Sequence, residues 1–198
     1  MTQTLEYKKH YYPKTREDLI NAVKEKVSEK RFKHILGVEQ AALTLAKAND
    51  VDLEKASVAA LVHDYAKECS AEEFKRIIKE KQLDPDLVNW NNFIWHGVIG
   101  AEIIKDELQI TDDEILNAIR RHTVGAPEMT KLDKVIYVAD YIEAGRDFPG
   151  VVEAREVAKK DLDEAVKYET KHTLMYLMSN NKTIYPAAIL TYNAYVAD

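Results

Sequence analysis

The sequence predicts a single all-α domain, and two features of the chain indicate it. Apolar residues recur mostly at intervals of three and four, the spacing of one helix face, and no strand-like alternation persists. Glycine and proline are few, 6 and 5 of 198 residues, so few positions force a helix to stop. With 46% hydrophobic residues, the chain can bury one sizeable core. We therefore expect an N-terminal arm at 1–14 and one domain at 15–198.

The composition excludes several classes of function. A net charge of −6 argues against binding a nucleic acid polymer or an anionic membrane, although it leaves small anionic ligands open. The only cysteine, Cys69, cannot form an internal disulfide and suits a reducing cytoplasm. No apolar stretch reaches the length of a membrane span, and the first residues lack the apolar core of a signal peptide.

The first helix is predicted from about Thr15 to Val27 and the second over 31–48. In the second, His34 shares its stripe with apolar residues spaced four, three and four apart, so it is expected to be buried. A buried histidine needs a partner, either a backbone carbonyl or a metal. Arg31 lies one turn earlier on the same face and can meet an anion beside it.

Asp52 opens a third helix, which carries the adjacent pair His63 and Asp64 at the end of an apolar run, with Lys67 one turn beyond. An imidazole followed by a carboxylate brings two metal-ligand types to the end of a buried element. A core histidine beside a solvated aspartate is the other interpretation.

The fourth helix starts at a capping box that Ser70 forms with Glu73. An Asn-rich connection follows, whose aromatic residues belong either to the core or to a lid over a ligand. His96 is predicted to begin the next helix, HGVIGAEIIKDEL, and Thr111 to cap the helix after it. His122 shares the apolar stripe of that helix and should point inward.

Four inward histidines indicate one polar cavity better than four separate core positions. They are His34, His63, His96 and His122.

Thr130 caps a helix predicted over KLDKVIYVADYIEAGRD, in which Asp140 lies inside an apolar turn. A carboxylate there is costly unless it is paired or binds a cation. Arg146, six residues on, is either its ion partner or a phosphate contact. Helices over 151–159 and 161–178 follow, and His172 in the latter is interpreted as structural.

The last helix is predicted to begin at Pro186, a favoured first position. The free amides just before it are candidates for holding an anion or a base.

These residues resemble a known family. His34, His63, Asp64 and Asp140 reproduce the H…HD…D order of the HD-domain metal-dependent phosphohydrolases. The flanking stretches RFKH, HDYAK, WHGVIGA, RRHTVGAPEMTKLDKVIYVADYIEAGRDFPGV and IYPAAILTYN resemble the YqeK family, bacterial HD-domain proteins that hydrolyse diadenosine tetraphosphate symmetrically. The similarity runs over roughly the last 170 residues, and the arm through Tyr12 has no counterpart in it.

The resemblance implies a single-domain HD helical bundle with a divalent metal, described as iron in this family. The implied metal ligands are His34, His63, Asp64 and Asp140, and the implied catalytic residues are Asp64, Lys67, His96 and His122. The implied nucleotide contacts are Arg31, Asp64, Lys67, His96, His122, Thr123, Asp140, Arg146, Thr183, Ile184, Tyr185, Pro186 and Ala187, the last five of them on the nucleoside.

The chemistry of this ligand set leaves two points open. Two imidazoles and two carboxylates suit iron, manganese, cobalt, nickel or zinc equally by ligand type. His96 and His122 either protonate the leaving diphosphate or bind a second metal.

We therefore expect symmetrical hydrolysis of a dinucleoside polyphosphate to two ADP. The alternatives are an HD-type phosphatase of mono- or triphosphates and a nucleotide sensor without turnover. A homodimer is compatible with a helical chain of this size, although no stretch specifies one.

Overall fold

The computed structural model of the chain describes residues 5–197, and all regular structure in that range is helical, as predicted. The bounds of the α-helices, in chain order, are α1 Arg16–Lys26, α2 Glu29–Ala48, α3 Leu53–Val62, α4 Ala71–Glu80, α5 Asn92–Val98, α6 Gly100–Leu108, α7 Asp113–Arg121, α8 Lys131–Ile142, α9 Val151–Lys160, α10 Leu162–Ser179 and α11 Pro186–Tyr195. A 3-10 helix, Pro85–Asn89, lies between α4 and α5. None of the described helices combines the length and apolar character needed to cross a membrane.

Helix α3 is the centre of the bundle. It packs against α1, α2, α7 and α8, and every side chain from Ala56 to Val62 is buried. Its sequence ASVAALV is small or aliphatic on all sides, as expected for a helix surrounded by others. Since His63 follows its last residue, the imidazole begins inside the core.

Most predicted helix starts are confirmed by cap hydrogen bonds. Thr15 and Asp18 form a full capping box, and Thr130 forms another with Asp133. At α7 the prediction is wrong by one residue: Asp112, not Thr111, is the N-cap. Its Oδ1 accepts hydrogen bonds from two first-turn amides at 3.1 Å, a role for which a carboxylate is well suited.

The helix predicted to begin at His96 is also wrong. Helix α5 begins four residues earlier, after the Asn91 cap, and a break at Ile99 separates it from α6. Close approach explains the break, because a Cβ at Gly97 would lie 3.1 Å from the carbonyl oxygen of Ile119 and one at Gly100 only 3.0 Å from Ala66 Cβ. As a result His96 lies within α5, on the side that faces α7.

Helix α8 ends at Ile142, five residues before the predicted end. Arg155 of α9 donates hydrogen bonds to the carbonyl oxygens of Ile142, Glu143 and Arg146, which fixes the chain after α8 as a loop. Asp140 therefore lies in the last turn of its helix rather than in the middle, and Arg146 lies in the loop.

The N-terminal arm is held against α3 within the described residues. Glu54 accepts hydrogen bonds from the backbone amides of Lys8 and Lys9, Tyr7 Oη lies 2.8 Å from Ser57 Oγ, and Tyr12 is buried. The arm is thus attached to the domain from residue 7 onward, while the boundary between arm and domain at residue 15 stays a prediction.

Candidate metal centre and active site

Helices α2, α3 and α8 bring the predicted metal ligands together. His34 lies in the second turn of α2 and Asp140 in the last turn of α8. His63 and Asp64 directly follow the last residue of α3. Because α2 packs against both α3 and α8, the ends of these elements meet at one side of the core.

The ligand atoms of these four residues surround one point. His34 Nε2 lies 3.0 Å from Asp140 Oδ1 and 3.7 Å from Asp64 Oδ2. His63 Nε2 lies 3.5 Å from Asp64 Oδ2 and 4.0 Å from Asp140 Oδ1. Both Nε2 atoms are buried, and neither makes a hydrogen bond to any residue in the described range.

The hydrogen-bond partners of Nδ1 show which nitrogen of each ring carries the proton. His34 Nδ1 lies 3.1 Å from Glu143 Oε1, and His63 Nδ1 lies 2.7 Å from the carbonyl oxygen of Ala60. Carboxylates and carbonyls only accept, so each Nδ1 carries the proton and each Nε2 presents a lone pair. Two buried Nε2 lone pairs without a hydrogen-bond donor, facing two carboxylates, are the donor set of a cation site, so these residues fit a divalent metal.

Glu143 is a site residue that the sequence analysis did not identify. It is 5% exposed, and besides facing His34 it accepts a hydrogen bond from the Gly145 amide. Gly37 makes room for it, because a Cβ there would lie 2.5 Å from Glu143 Oε2. A lone glycine within the helical pattern of α2 was the available signal, since such a glycine commonly marks close packing.

A second group of ligand-type side chains adjoins the first through Asp64. Asp64 Oδ1 lies 3.3 Å from His96 Nε2 and 3.9 Å from His122 Nε2, and the two Nε2 atoms are 3.1 Å apart. Thr123 Oγ1 lies 3.3 Å from the first and 3.1 Å from the second. The three ligand-type residues of this group could hold a second ion.

His96 and His122 are oriented like the first pair of histidines. Their Nδ1 atoms donate to the carbonyl oxygens of Asn92 and Ile119, at 2.5 and 2.7 Å. Burial lowers the pKa of His96 to about 3 and that of His122 to about 4. Both rings are therefore neutral at pH 7 and present Nε2 to the cavity, which suits a ligand better than a proton donor.

Both aspartates are ionised in this site. Burial by itself would raise their pKa values, but the guanidinium of Arg146 helps to hold the pKa of Asp140 below its ordinary value. The pKa of Asp64 is also lowered against the effect of burial, and its carboxylate accepts a hydrogen bond from Arg31.

Three cationic side chains border the centre. Arg31 Nη1 donates to Asp64 Oδ2 at 2.6 Å. Arg146 forms an ion pair with the Asp140 carboxylate, and its Nε donates to the Asp140 carbonyl oxygen at 2.8 Å. Lys67 Nζ lies 3.2 Å from both ring nitrogens of His96, and burial lowers the pKa of its ammonium group. The ion-pair interpretation of Arg146 is therefore realised, and the same guanidinium is placed beside the ligand set.

The segment 183–187 is the one predicted group that no hydrogen bond or ring contact of the described residues joins to the centre. Tyr185 instead packs edge-on against Trp90, with ring centroids 4.8 Å apart. Phe93, in the first turn of α5, is 73% exposed and has Lys67 Nζ 5.5 Å from its ring. Trp90 and Tyr185 thus form one aromatic pair, and Phe93 is the aromatic residue beside Lys67.

Comparison with known proteins finds relatives over most of the chain. The family model of the HD domain matches residues 31–145. The chain is 44% identical over 178 residues to "Bis(5'-nucleosyl)-tetraphosphatase, symmetrical" of Bacillus subtilis, covering 90% of this chain and 96% of that protein. A protein of the same name from Staphylococcus aureus is 37% identical, with 87% and 90% covered.

Two further matches extend the comparison. A Mycoplasma genitalium protein named "Probable nicotinate-nucleotide adenylyltransferase/Ap4A hydrolase" is 32% identical over 78% of this chain and 45% of its own length. The crystal structure of an HD superfamily hydrolase from Clostridium acetobutylicum, described as involved in NAD metabolism, superimposes with a TM-score of 0.85 at 35% identity. That match covers 90% of this chain and 95% of the other.

Proposed function

We propose a role for each residue of this site. The premise is that this chain belongs to the HD-domain family, among the symmetrical bis(5'-nucleosyl)-tetraphosphatases. The chain is a metal-dependent hydrolase of a dinucleoside polyphosphate. The observation that carries the residue roles is the ligand set itself: two buried Nε2 atoms that make no hydrogen bond face the same point as two ionised carboxylates. The products are two molecules of ADP when the substrate is diadenosine tetraphosphate.

The proposed metal ligands are His34, His63, Asp64 and Asp140. Iron is our proposal for the native ion, with manganese, cobalt, nickel and zinc as the other metals that this N and O donor set accepts. When bound, the metal polarises the phosphoryl group and lowers the pKa of the attacking water.

The cations position the polyphosphate. Arg31 and Arg146 each already contact an aspartate of the ligand set, so a phosphate that approaches the centre meets a guanidinium on either side. Lys67 adds a third positive charge next to His96 and His122. These contacts offset the charge of the substrate and stabilise the charge that develops on the phosphoryl oxygens.

Lys67 is our candidate for the proton donor to the leaving diphosphate. Its lowered pKa makes the ammonium group a stronger acid than an exposed lysine. His96 and His122 are neutral at pH 7 and serve as ligands or as hydrogen-bond partners of the phosphates, together with Thr123. One nucleoside is proposed to lie against Thr183 to Ala187, where Tyr185 and Trp90 offer aromatic rings.

The cellular location and the oligomeric state remain predictions. The single cysteine and a nucleotide substrate support a cytoplasmic location. A homodimer is tested by light scattering of the purified chain.

Product analysis of diadenosine tetraphosphate, combined with elemental analysis of protein purified without chelator, tests the proposed function. We expect ADP as the sole product, about one or two transition-metal ions per chain, and no product from an Asp64→Ala variant assayed as control. AMP and ATP would contradict the symmetrical cleavage. Steady release of inorganic phosphate from mononucleotides would favour the phosphatase, and tight nucleotide binding without product in any metal would favour the sensor.

A further inference from the structure

We propose that a cavity between α2 and the loop after α8 binds the second nucleoside diphosphate half of the substrate. This inference rests on the proposed function. A substrate that is cleaved at its centre extends equally far on both sides of the metal centre, so two nucleoside diphosphate sites are needed. The segment 183–187, where Tyr185 packs against Trp90, is already proposed for one of them.

The cavity is separate from the segment 183–187, since no residue of that segment lines it. Its volume is about 640 Å³, within the usual range of small-molecule sites. Lys30, Lys33 and Gly37 of α2 form one wall, and Ala144 and Gly145 of the loop after α8 form another. His34 and Arg146 also line it, so the cavity borders the proposed metal centre at one ligand and one cation.

The charges that line the cavity favour a phosphate-bearing ligand. Lys30 and Lys33 are exposed and make no ion pair or side-chain hydrogen bond with any residue of the described range 5–197. The two lining carboxylates are already engaged: Glu68 accepts hydrogen bonds from the Ser28 amide and hydroxyl at 2.7 and 2.6 Å, and Glu143 faces His34. Arg31 and Arg146 add positive charge where the cavity meets the centre.

The wall that the loop after α8 forms leaves room for a bulky group to enter. Ala144 and Gly145 are exposed and carry no side chain larger than a methyl group, so the loop leaves this side open. Among the described residues that line the cavity, none is Phe, Tyr or Trp, and His34 has its ring nitrogens engaged at the metal centre and by Glu143. A base here would lack a stacking partner, and recognition would rest on the phosphates and the ribose. We therefore expect weak base preference on this side.

ADP binding to the metal-loaded chain tests the inference without depending on turnover. Equilibrium dialysis with manganese present should give two molecules of ADP per wild-type chain. The double variant Lys30→Ala, Lys33→Ala should weaken one of the two sites by about tenfold and leave the other unchanged. The control Lys47→Ala, Lys75→Ala removes two exposed lysines elsewhere and should bind like wild type.

Photolabelling of the wild-type chain with 8-azido-ADP locates the sites independently of any variant. Labelled peptides from 28–37 or 143–146, in addition to a peptide near 183–187, are expected. One ADP per chain, two ADP with the lysine variant unaffected, or label confined to 183–187 would each overturn the second site. Failure of the proposed function would be seen separately, as turnover that yields products other than ADP.

Discussion

Asp64 connects the two halves of the site. Its Oδ2 faces the Nε2 atoms of His34 and His63 and the guanidinium of Arg31, whereas its Oδ1 faces the second histidine pair. Asp140 also lies within 4.8 Å of both His63 and His122, but Asp64 is the carboxylate that lies next to His96. Removing its charge should therefore affect metal binding and catalysis together.

We expect Asp64→Asn to keep the shape of the side chain but to lower metal content and turnover together, each by at least about 100-fold. Elemental analysis and initial rates of ADP formation measure the two effects. His172→Ala is the matched control, because its Nδ1 donates to the Tyr168 carbonyl oxygen and its ring stacks on Tyr168, outside the site. Equal losses of metal content and turnover in both variants would mean that the metal site does not lie at Asp64.

Glu143 faces His34 Nδ1, so we expect it to influence the metal through His34 rather than by direct contact. Its carboxylate fixes the proton on Nδ1 and so keeps Nε2 available as a ligand. We expect Glu143→Gln to weaken metal affinity by about 10 to 100-fold, since an amide orients the ring less strongly than a carboxylate. Titration against a competing chelator measures this affinity.

Glu68→Gln provides the control for this substitution, because Glu68 borders the same cavity but bonds to Ser28. Unchanged metal affinity in Glu143→Gln would show that the hydrogen bond to His34 does not support the ligand.

At the scale of the elements, α2 and the loop after α8 depend on each other through Gly37. In a helix interior alanine is favoured over glycine by roughly 1 kcal/mol. A Cβ at this position would nevertheless lie 2.5 Å from Glu143 Oε2, so the carboxylate would have to move away from its place beside His34. Helix stability and metal binding should therefore respond in opposite directions.

We expect Gly37→Ala to leave the midpoint of thermal unfolding unchanged or slightly higher while metal affinity falls. Thermal scans of the metal-free protein and chelator titrations separate the two effects. Combined with Glu143→Gln, the loss of metal affinity should be smaller than the sum of the two single losses, because both changes disturb the same hydrogen bond. Additive losses would contradict this coupling.

Helix α10 carries an unpaired acid into its contact with α8. Glu169 is 7% exposed, and its Oε2 makes no hydrogen bond within residues 5–197. Burial raises its pKa well above the ordinary 4.5, and the charge of Asp140 adds to the effect. The unfolded chain thus loses this proton first, and the folded state becomes less favoured as pH rises above about 4.5.

Glu169→Gln should therefore stabilise the protein at neutral pH and change little at about pH 4, where both states of the wild type keep the proton. The difference in unfolding midpoint between variant and wild type, followed against pH, measures this. Glu128→Gln, a change at an exposed acid, should give a flat difference. A pH-independent gain in Glu169→Gln would point to packing rather than to ionisation.

The sequence predicted the helices better than the places where they end. Cap residues such as Thr15 and Thr130 indicate a helix start from local sequence alone, because the side chain accepts a hydrogen bond from an amide in the first turn. The break at Ile99 and the end of α8 at Ile142 depend on distant partners, namely the close approach of α7 to Gly97 and the hydrogen bonds from Arg155. No local pattern encodes such contacts.

For the whole molecule, the sequence predicted which residues form the site, but not the distances between them or the carboxylate that orients His34. The sequence identified His34, His63, Asp64 and Asp140 as ligand candidates, through apolar patterning and through resemblance to a family. Their distances follow from how α2, α3 and α8 pack, and Glu143 is recognisable only once that packing is known. Roles in catalysis for these side chains remain predictions.

Because the proposed ligands come from three separate parts of the chain, metal binding should stabilise the entire fold. An unfolded chain cannot hold these side chains together, so a metal at 100 times its dissociation constant should add about 2.7 kcal/mol of stability. For a chain of this size, that corresponds to a rise of roughly 5–10 °C in the unfolding midpoint.

Thermal scans with iron under anaerobic conditions, and with manganese, cobalt, nickel or zinc, measure this rise, and a chelator should reverse it. The metal with the largest shift at equal free concentration is the one that the site prefers. Asp64→Asn should lose most of the shift, whereas His172→Ala should retain it. If the unfolding midpoint of Asp64→Asn still rose with metal, the ion would bind elsewhere on the chain, because this variant lacks one of the two proposed carboxylate ligands.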